Sequence, residues 1–203
     1  MSEVVLTLEQ RKAAMTGWNG HQAGILWFTG LSGAGKSTLA AQVQQALHNR
    51  QIRTIALDGD VLRRHLCKDL GFSPEDRREN IRRVGEVAKL FVDAGLVVLA
   101  SFISPYESDR QQARRLVKNN EFIEIHVKCS FDECEKRDVK GLYARARAGE
   151  IQNFTGLDAP YEAPTSPDIE VNTELRSVEE SVQHILTVLE ERQFFESGGN
   201  SSS

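Results

Sequence analysis

The sequence predicts an α/β fold: a three-layer α/β/α sandwich around a mainly parallel five-stranded sheet, carrying a mobile lid. Three observations predict it. Five short apolar runs alternate with helical patterns, as in sheets whose parallel strands are joined by crossover helices. The first run leads directly into a glycine-rich loop, and an amphipathic pattern follows that loop. A polar, basic stretch with three glycines, from about residue 138 to 158, separates a late helix from the last strand.

Composition sets the frame. The 203 residues suit one domain with a proper core. Hydrophobic residues at 40% and charged residues at 27% are ordinary for a globular protein. A net charge of −4 gives no global attraction to a nucleic acid polymer or to anionic lipid. No apolar run approaches the ~20 residues a membrane helix needs. The opening stretch MSEVVLTLEQRKAAM lacks a basic start before an apolar core, so a cytoplasmic location is expected. Cys67, Cys129 and Cys134 are too few and too irregular for a disulfide framework and read as buried thiols. Residues 1–22 read as a polar arm, 23–192 as the folded domain and 193–203 as a disordered tail.

The strands are expected at Ile25–Thr29, Ile52–Leu57, Leu96–Ala100, Phe122–Val127 and, more weakly, Ile169–Val171. Leu39, Val43, Ala46 and Leu47 fall on one face of the first helix. Ser73-Pro74-Glu75-Asp76 combines a capping serine, a first-turn proline and an acid three positions on. Ile81, Val84, Ala88 and Phe91 then form a buried stripe that Gly95 can end. Ser104-Pro105-Tyr106-Glu107 repeats that start signal, and so do Ser130–Glu133 and Ser177–Glu180. In parallel sheets of this kind ligands bind at the carboxyl ends of the strands.

Gly30-x-x-x-x-Gly35-Lys36-Ser37 fits the phosphate-binding P-loop in full, and the fold class is therefore of the P-loop NTPase type. Glycines let backbone N–H groups turn toward an anion, and the helix N-terminus adds its own donors. Gly30, Leu31, Ser32, Gly33, Ala34, Gly35, Lys36, Ser37 and Thr38 are thus the expected ATP-binding residues. Lys36 supplies a point charge to the transferring phosphate, and Ser37 is placed to ligate Mg²⁺.

Several loop-bearing classes drop out. No Asn-Lys-x-Asp base reader is present, and the strand Leu96–Ala100 ends in Ser101-Phe102 without the acid a motor ATPase needs. The acid lies on the second strand instead. Asp58 stands at its tip with Asp60 two residues on, where a carboxylate suits activation of an acceptor hydroxyl; capping of the next helix is the structural alternative. Arg77 and Asn80 share a face near a helix start and, with Arg63, suit a small dianionic acceptor gripped by two arginines. The stretch at 138–158 suits a lid that excludes water and brings cations to the phosphate. Phe72 and Phe154 are aromatics in polar segments; they either stack on a base or belong to the core.

Taken together, GLSGAGKST, LDGD with Arg63, DLGFSPEDRRENIRRVGEVAKL, SFISPYESDR, RDVKGLYARARAGEIQNFTG and APYEAP closely resemble the adenylylsulfate kinase (APS kinase) family over nearly the whole chain. The resemblance implies transfer of the ATP γ-phosphate to the 3'-hydroxyl of adenosine 5'-phosphosulfate (APS), with Mg²⁺ as cofactor, and a homodimer. It implies that Asp58, Asp60, Arg63, Phe72, Arg77, Asn80, Ile103, Ser104, Lys140, Leu142 and Phe154 bind APS, with Phe72 and Phe154 sandwiching its adenine. It implies Lys36 and Asp58 as catalytic residues, Asp58 as the favoured base and a second candidate metal ligand beside Ser37. Ser104 matches the family's phosphoserine position, although direct in-line transfer needs only positioning and charge stabilisation, and Ser104 is also expected to cap a helix. Where the family often shows two lysines in the lid, this chain has Ala144 and Arg145, so Arg145 alone keeps a charge for ATP.

Overall fold

A computed structural model describes residues 21–195. Five parallel strands, β1 (Gly24–Thr29), β2 (Thr54–Asp58), β3 (Val97–Ser101), β4 (Phe122–Lys128) and β5 (Ile169–Asn172), lie in the order β2-β3-β1-β4-β5. The helices are α1 (Lys36–Asn49), α2 (Gly59–Arg64), α3 (Pro74–Asp93), α4 (Glu107–Arg114), α5 (Phe131–Arg137), α6 (Leu142–Arg147) and α7 (Val178–Glu191). Among the described residues no helix is long and apolar enough to cross a membrane.

Alternation along β1 builds the two apolar layers. Leu26 and Phe28 face the layer of α1 and α7, with Leu39, Val43, Ile185 and Leu189. Ile25 and Trp27 face the layer of α3 and α4, with Ile81, Val84, Ala88 and Ala113. All six β1 residues are buried, as a central strand covered on both sides must be. Each buried Leu, Ile or Phe side chain contributes about 1.5–3 kcal/mol relative to exposure.

The capping signals hold at three of four places. Ser73, Ser130 and Ser177 each accept from the backbone N–H three residues on, and Ser177–Glu180 forms a full capping box. Asp76 instead turns back to accept from the Gly71 N–H at 2.9 Å. Ser104 is the exception. Helix α4 begins at Glu107 with Tyr106 as its unsupported N-cap, and Ser104 sits in the left-handed region at φ 41°. Its hydroxyl accepts from the Trp27 indole Nε1 at 3.1 Å instead of capping anything. The Glu107 N–H finds a distant cap, the Glu162 carboxylate at 2.7 Å.

Two boundaries shift. Ile52 belongs to the turn that closes α1, donating its N–H to Leu47, so β2 starts only at Thr54. The ordered fold also runs past residue 192: Phe194 and Phe195 pack into the core, and His21 bridges to Phe195. Residues 193–195 are therefore folded, because two aromatic rings there cover the α1–α7 layer. The rest of the expected arm and tail lies outside the described residues.

Candidate active site

The carboxyl ends of β1, β2 and β3 open into a cleft of about 620 Å³, bordered on one side by the segment 138–158. One stretch of the wall is the loop after β1. Gly30 leaves no room for a side chain, since a Cβ there would lie 2.4 Å from the Val127 carbonyl oxygen. The loop turns so tightly that Lys36, the first residue of α1, folds back over it. Lys36 Nζ donates to the carbonyls of Gly30 and Leu31 at 2.9 and 2.7 Å. Burial pulls the Lys36 ammonium down to about 8, because a desolvated cation lacks a full counter-charge here.

Ser37 and Asp58 meet across the floor of the cleft, the Ser37 hydroxyl donating to Asp58 Oδ2 at 2.8 Å. The other carboxylate oxygen accepts from the Asp60 and Val61 N–H groups at 2.9 and 3.4 Å. Asp58 therefore caps α2 with one oxygen, the structural alternative, while its other oxygen meets Ser37 of the loop. Asp60 is exposed and ion-paired with Lys140 of the lid.

A second stretch of the wall begins at α3. Pro74 starts the helix and Ser73 caps it, which brings Arg77 and Asn80 to the cleft wall, both buried. Arg77 Nε donates to the Phe72 carbonyl at 3.0 Å and its Nη2 to the Asn153 carbonyl at 2.5 Å, tying α3 to the lid. Arg63 donates to the Gly71 carbonyl at 2.8 Å, and its guanidinium lies over the Phe72 ring, 4.4 Å from the centroid. Burial lowers the pKa of both arginines, and Arg63 lowers that of Arg77 further by like-charge repulsion. An anion between them would relieve that repulsion. Asn80 lines the cleft, and its Oδ1 is buried with no hydrogen-bond donor to meet it among the described residues.

Phe154 is buried in the lid against Tyr143, with ring centroids 4.8 Å apart, whereas Phe72 is half exposed. Ile103 and Ser104 form the back wall. Thr29 Oγ1 donates to the Ile103 carbonyl at 2.8 Å and Arg110 to the Ser104 carbonyl at 2.8 Å. Arg110 is itself held by Glu124 at 2.7 Å, a fully buried pair. From the lid come Lys140, Leu142 and Arg145, the last paired with Glu150 at 3.0 Å.

The cleft thus gathers Ser32, Gly33, Gly35, Lys36, Ser37, Thr38, Asp58, Asp60, Arg63, Phe72, Arg77, Asn80, Ile103, Ser104, Lys140, Leu142, Arg145 and Phe154. Gly30, Leu31 and Ala34 stand behind its lining, where the first two supply carbonyls to Lys36 and the Ala34 carbonyl accepts from Thr173. Ile81, Phe102, Ile151 and Gln152 also line the cleft and were not expected there from the sequence. Ile81 was legible only as core, and Phe102 could have been found by its place directly after the β3 tip.

A loop for a nucleotide phosphate on one wall, paired arginines and two aromatics on the other, and a carboxylate between them suit phosphoryl transfer to a small anionic acceptor. Comparison with known proteins points the same way. The family model described as "Adenylylsulphate kinase" matches residues 22–172. An adenylyl-sulfate kinase of Oceanobacillus iheyensis is 56% identical, over 91% of this chain and 92% of its own. One of Staphylococcus epidermidis is 53% identical, over 95% and 94%. An APS kinase of Mycobacterium tuberculosis, solved in complex with AMPPNP and APS, is 45% identical with a TM-score of 0.80, over 84% of this chain and 99% of that one. With its fold, its cleft and its sequence all agreeing, the chain belongs to the adenylylsulfate kinase family.

Proposed function

We propose that this kinase transfers the ATP γ-phosphate to the 3'-hydroxyl of APS, giving 3'-phosphoadenosine 5'-phosphosulfate and ADP, the activated-sulfate step of sulfate assimilation. The observation that carries the proposal is the single cleft in which Lys36 and Ser37 face Arg63, Arg77 and Phe72 across Asp58. Family membership supports it.

On this reading the loop residues from Gly30 to Thr38 hold the ATP phosphates, with Arg145 reaching them from the lid. Arg63, Arg77 and Asn80 take the phosphosulfate, Phe72 and Phe154 hold the adenine, and Ile103, Ser104, Lys140 and Leu142 complete the acceptor pocket. The Asp58 carboxylate takes the proton of the ribose 3'-hydroxyl as that oxygen attacks the γ-phosphorus. The bond from the γ-phosphorus to the bridging oxygen breaks, and its electron pair leaves with ADP. Lys36 neutralises the charge on the transferring group, an effect worth several kcal/mol in a desolvated site. The Ser37 hydroxyl and Asp58 carboxylate are hard oxygen donors in contact at 2.8 Å, a set that fits Mg²⁺. Bound there, Mg²⁺ supplies charge neutralisation on the phosphates. Ser37 and Asp58 are the residues that would hold it; among the described residues no group of three or more His, Cys, Asp or Glu side chains does so.

Ser104 serves as part of the wall. Its hydroxyl is occupied by Trp27 and the residue is 2% exposed, which favours direct transfer over a phosphoserine route. Both substrates are small soluble nucleotides, which suits a cytoplasmic enzyme. The homodimer implied by the family resemblance would be read by light scattering as twice the chain mass. The function itself is tested by coupled ADP release with APS, AMP, shikimate and gluconate as acceptors. APS alone is expected to give rapid turnover; a faster reaction with either hydroxy acid would overturn the proposal.

A further inference from the structure

Tyr143, the second residue of α6, does not line the cleft and has no part in the transfer above. It is nevertheless among the largest fully buried side chains, at 1% exposure. Its hydroxyl donates to the Ser32 carbonyl of the phosphate loop at 2.8 Å. Its ring meets Phe131 edge-on at 5.4 Å and Phe154 edge-on at 4.8 Å. One rigid side chain therefore touches the donor loop at one end and the acceptor-side aromatic at the other.

The surroundings leave this ring little freedom. The Asp138 carboxylate accepts from the N–H groups of Tyr143 and Ala144, both at 3.0 Å, which pins the start of α6. The lid returns past Gly156, at φ 95°, where a Cβ would come within 3.0 Å of Phe131 and 3.2 Å of Leu31. Leu31, Phe131, Tyr143 and Phe154 thus belong to one packed cluster, so the loop and the lid cannot shift independently. Burial also holds the Tyr143 hydroxyl pKa above its ordinary value, so it remains a neutral donor to Ser32.

We propose that Tyr143 is a positioning residue that couples the two substrate sites, transmitting the order of the nucleotide-bound loop through its hydroxyl and ring to Phe154. When a phosphate takes up the loop N–H groups, the Ser32 peptide is held in one orientation with its carbonyl toward Tyr143. That favours the ring position in which Phe154 is set to receive the acceptor. The effect must run equally in reverse, since coupling between two binding sites is reciprocal. This inference rests on the proposed use of the loop by ATP and of Phe154 by APS.

The test is equilibrium titration of the full chain with APS, alone and with saturating AMPPNP and Mg²⁺. Wild type is expected to bind APS more tightly when AMPPNP is present. Tyr143→Phe keeps the ring and removes only the hydroxyl, and should shrink that enhancement about two- to tenfold, the range one neutral hydrogen bond sustains. Phe154→Leu keeps the hydroxyl bond and removes the ring edge, and should shrink the enhancement as well. Titrating AMPPNP with and without APS should return the same factors. A Tyr143→Phe protein with a lower Tm and the wild-type enhancement would overturn the inference and leave Tyr143 a packing residue. So would a wild-type protein whose APS affinity ignores AMPPNP. Wild type that binds AMPPNP and never binds APS would instead overturn the acceptor assignment, and this inference with it.

Discussion

Replacing Ser104 by alanine separates two chemical routes and can be worked through from the structure. The substitution removes the acceptor of the Trp27 indole N–H, 3.1 Å away, in a place where Trp27 is wholly closed to solvent. A buried donor left without its partner costs about 1–3 kcal/mol. The left-handed turn itself should survive. Arg110 still holds the Ser104 carbonyl, and Thr29 still holds that of Ile103, each at 2.8 Å. For a chain of this size about 2–4 °C of Tm is lost per kcal/mol, so a fall of roughly 2–12 °C is expected. Direct transfer predicts turnover within about tenfold of wild type, since no bond to the hydroxyl is made or broken and the loss is one of positioning. A covalent route predicts none. Calorimetry and the coupled ADP assay read the two effects. Trp27→Phe in the same background should recover part of the lost stability, because donor and acceptor are then both gone. A folded Ser104→Ala protein without activity, or a phosphoserine that forms with ATP and discharges to APS at the turnover rate, would refute the reasoning.

Further outcomes follow from the same cleft. Lys36→Ala should abolish turnover with the fold intact by circular dichroism. In the wild type the KM for ATP should rise by up to about tenfold per pH unit above about 8, where buried Lys36 loses its proton, and Lys36→Arg should flatten that rise. Asp58→Asn should lower kcat about 10²–10⁴-fold with little change in the KM for ATP, and the α2 cap should persist because an asparagine oxygen caps as well; if kcat barely moves, the base is not Asp58. Arg77→Ala should raise the KM for APS, leave that for ATP nearly unchanged and narrow the preference for APS over AMP, whereas Phe154→Ala should weaken both acceptors alike; an equal effect of Arg77→Ala on ATP would place Arg77 on the donor side.

Much of this was legible in the chain itself, for reasons that can be named. The strand runs were readable because central parallel strands are buried on both faces and stay largely apolar, as β1 does from Gly24 to Phe28. The phosphate loop was readable because its geometry admits few residues; at Gly30 a side chain would strike the Val127 carbonyl. Arg63, Arg77 and Asn80 could be placed near the carboxyl ends of the strands because short-range rules position them, a capped helix start following a strand tip. What failed depended on distant partners. Ser104-Pro105 has the local pattern of Ser73-Pro74, but Trp27, in another strand, claims its hydroxyl, and Arg110 claims its carbonyl. Asp58 was left open between cap and functional acid because only the fold shows its two oxygens facing different ways. Phe194 and Phe195 looked like the start of a polar tail because the layer they cover is assembled from α1 and α7. Tyr143 carried no signal, since its partners Ser32 and Phe131 come from separate loops and helices.

The central claim is that one cleft joins an ATP phosphate to the ribose of APS. Phosphorus NMR of a reaction containing the full chain, ATP, Mg²⁺ and APS tests it most directly, because it reports both the donor product and the position of the new phosphate. The account predicts one ADP formed per APS consumed, with the phosphate on the 3'-oxygen and the phosphosulfate intact. ATP left unchanged beside APS, or a phosphate appearing at any other oxygen, would contradict it.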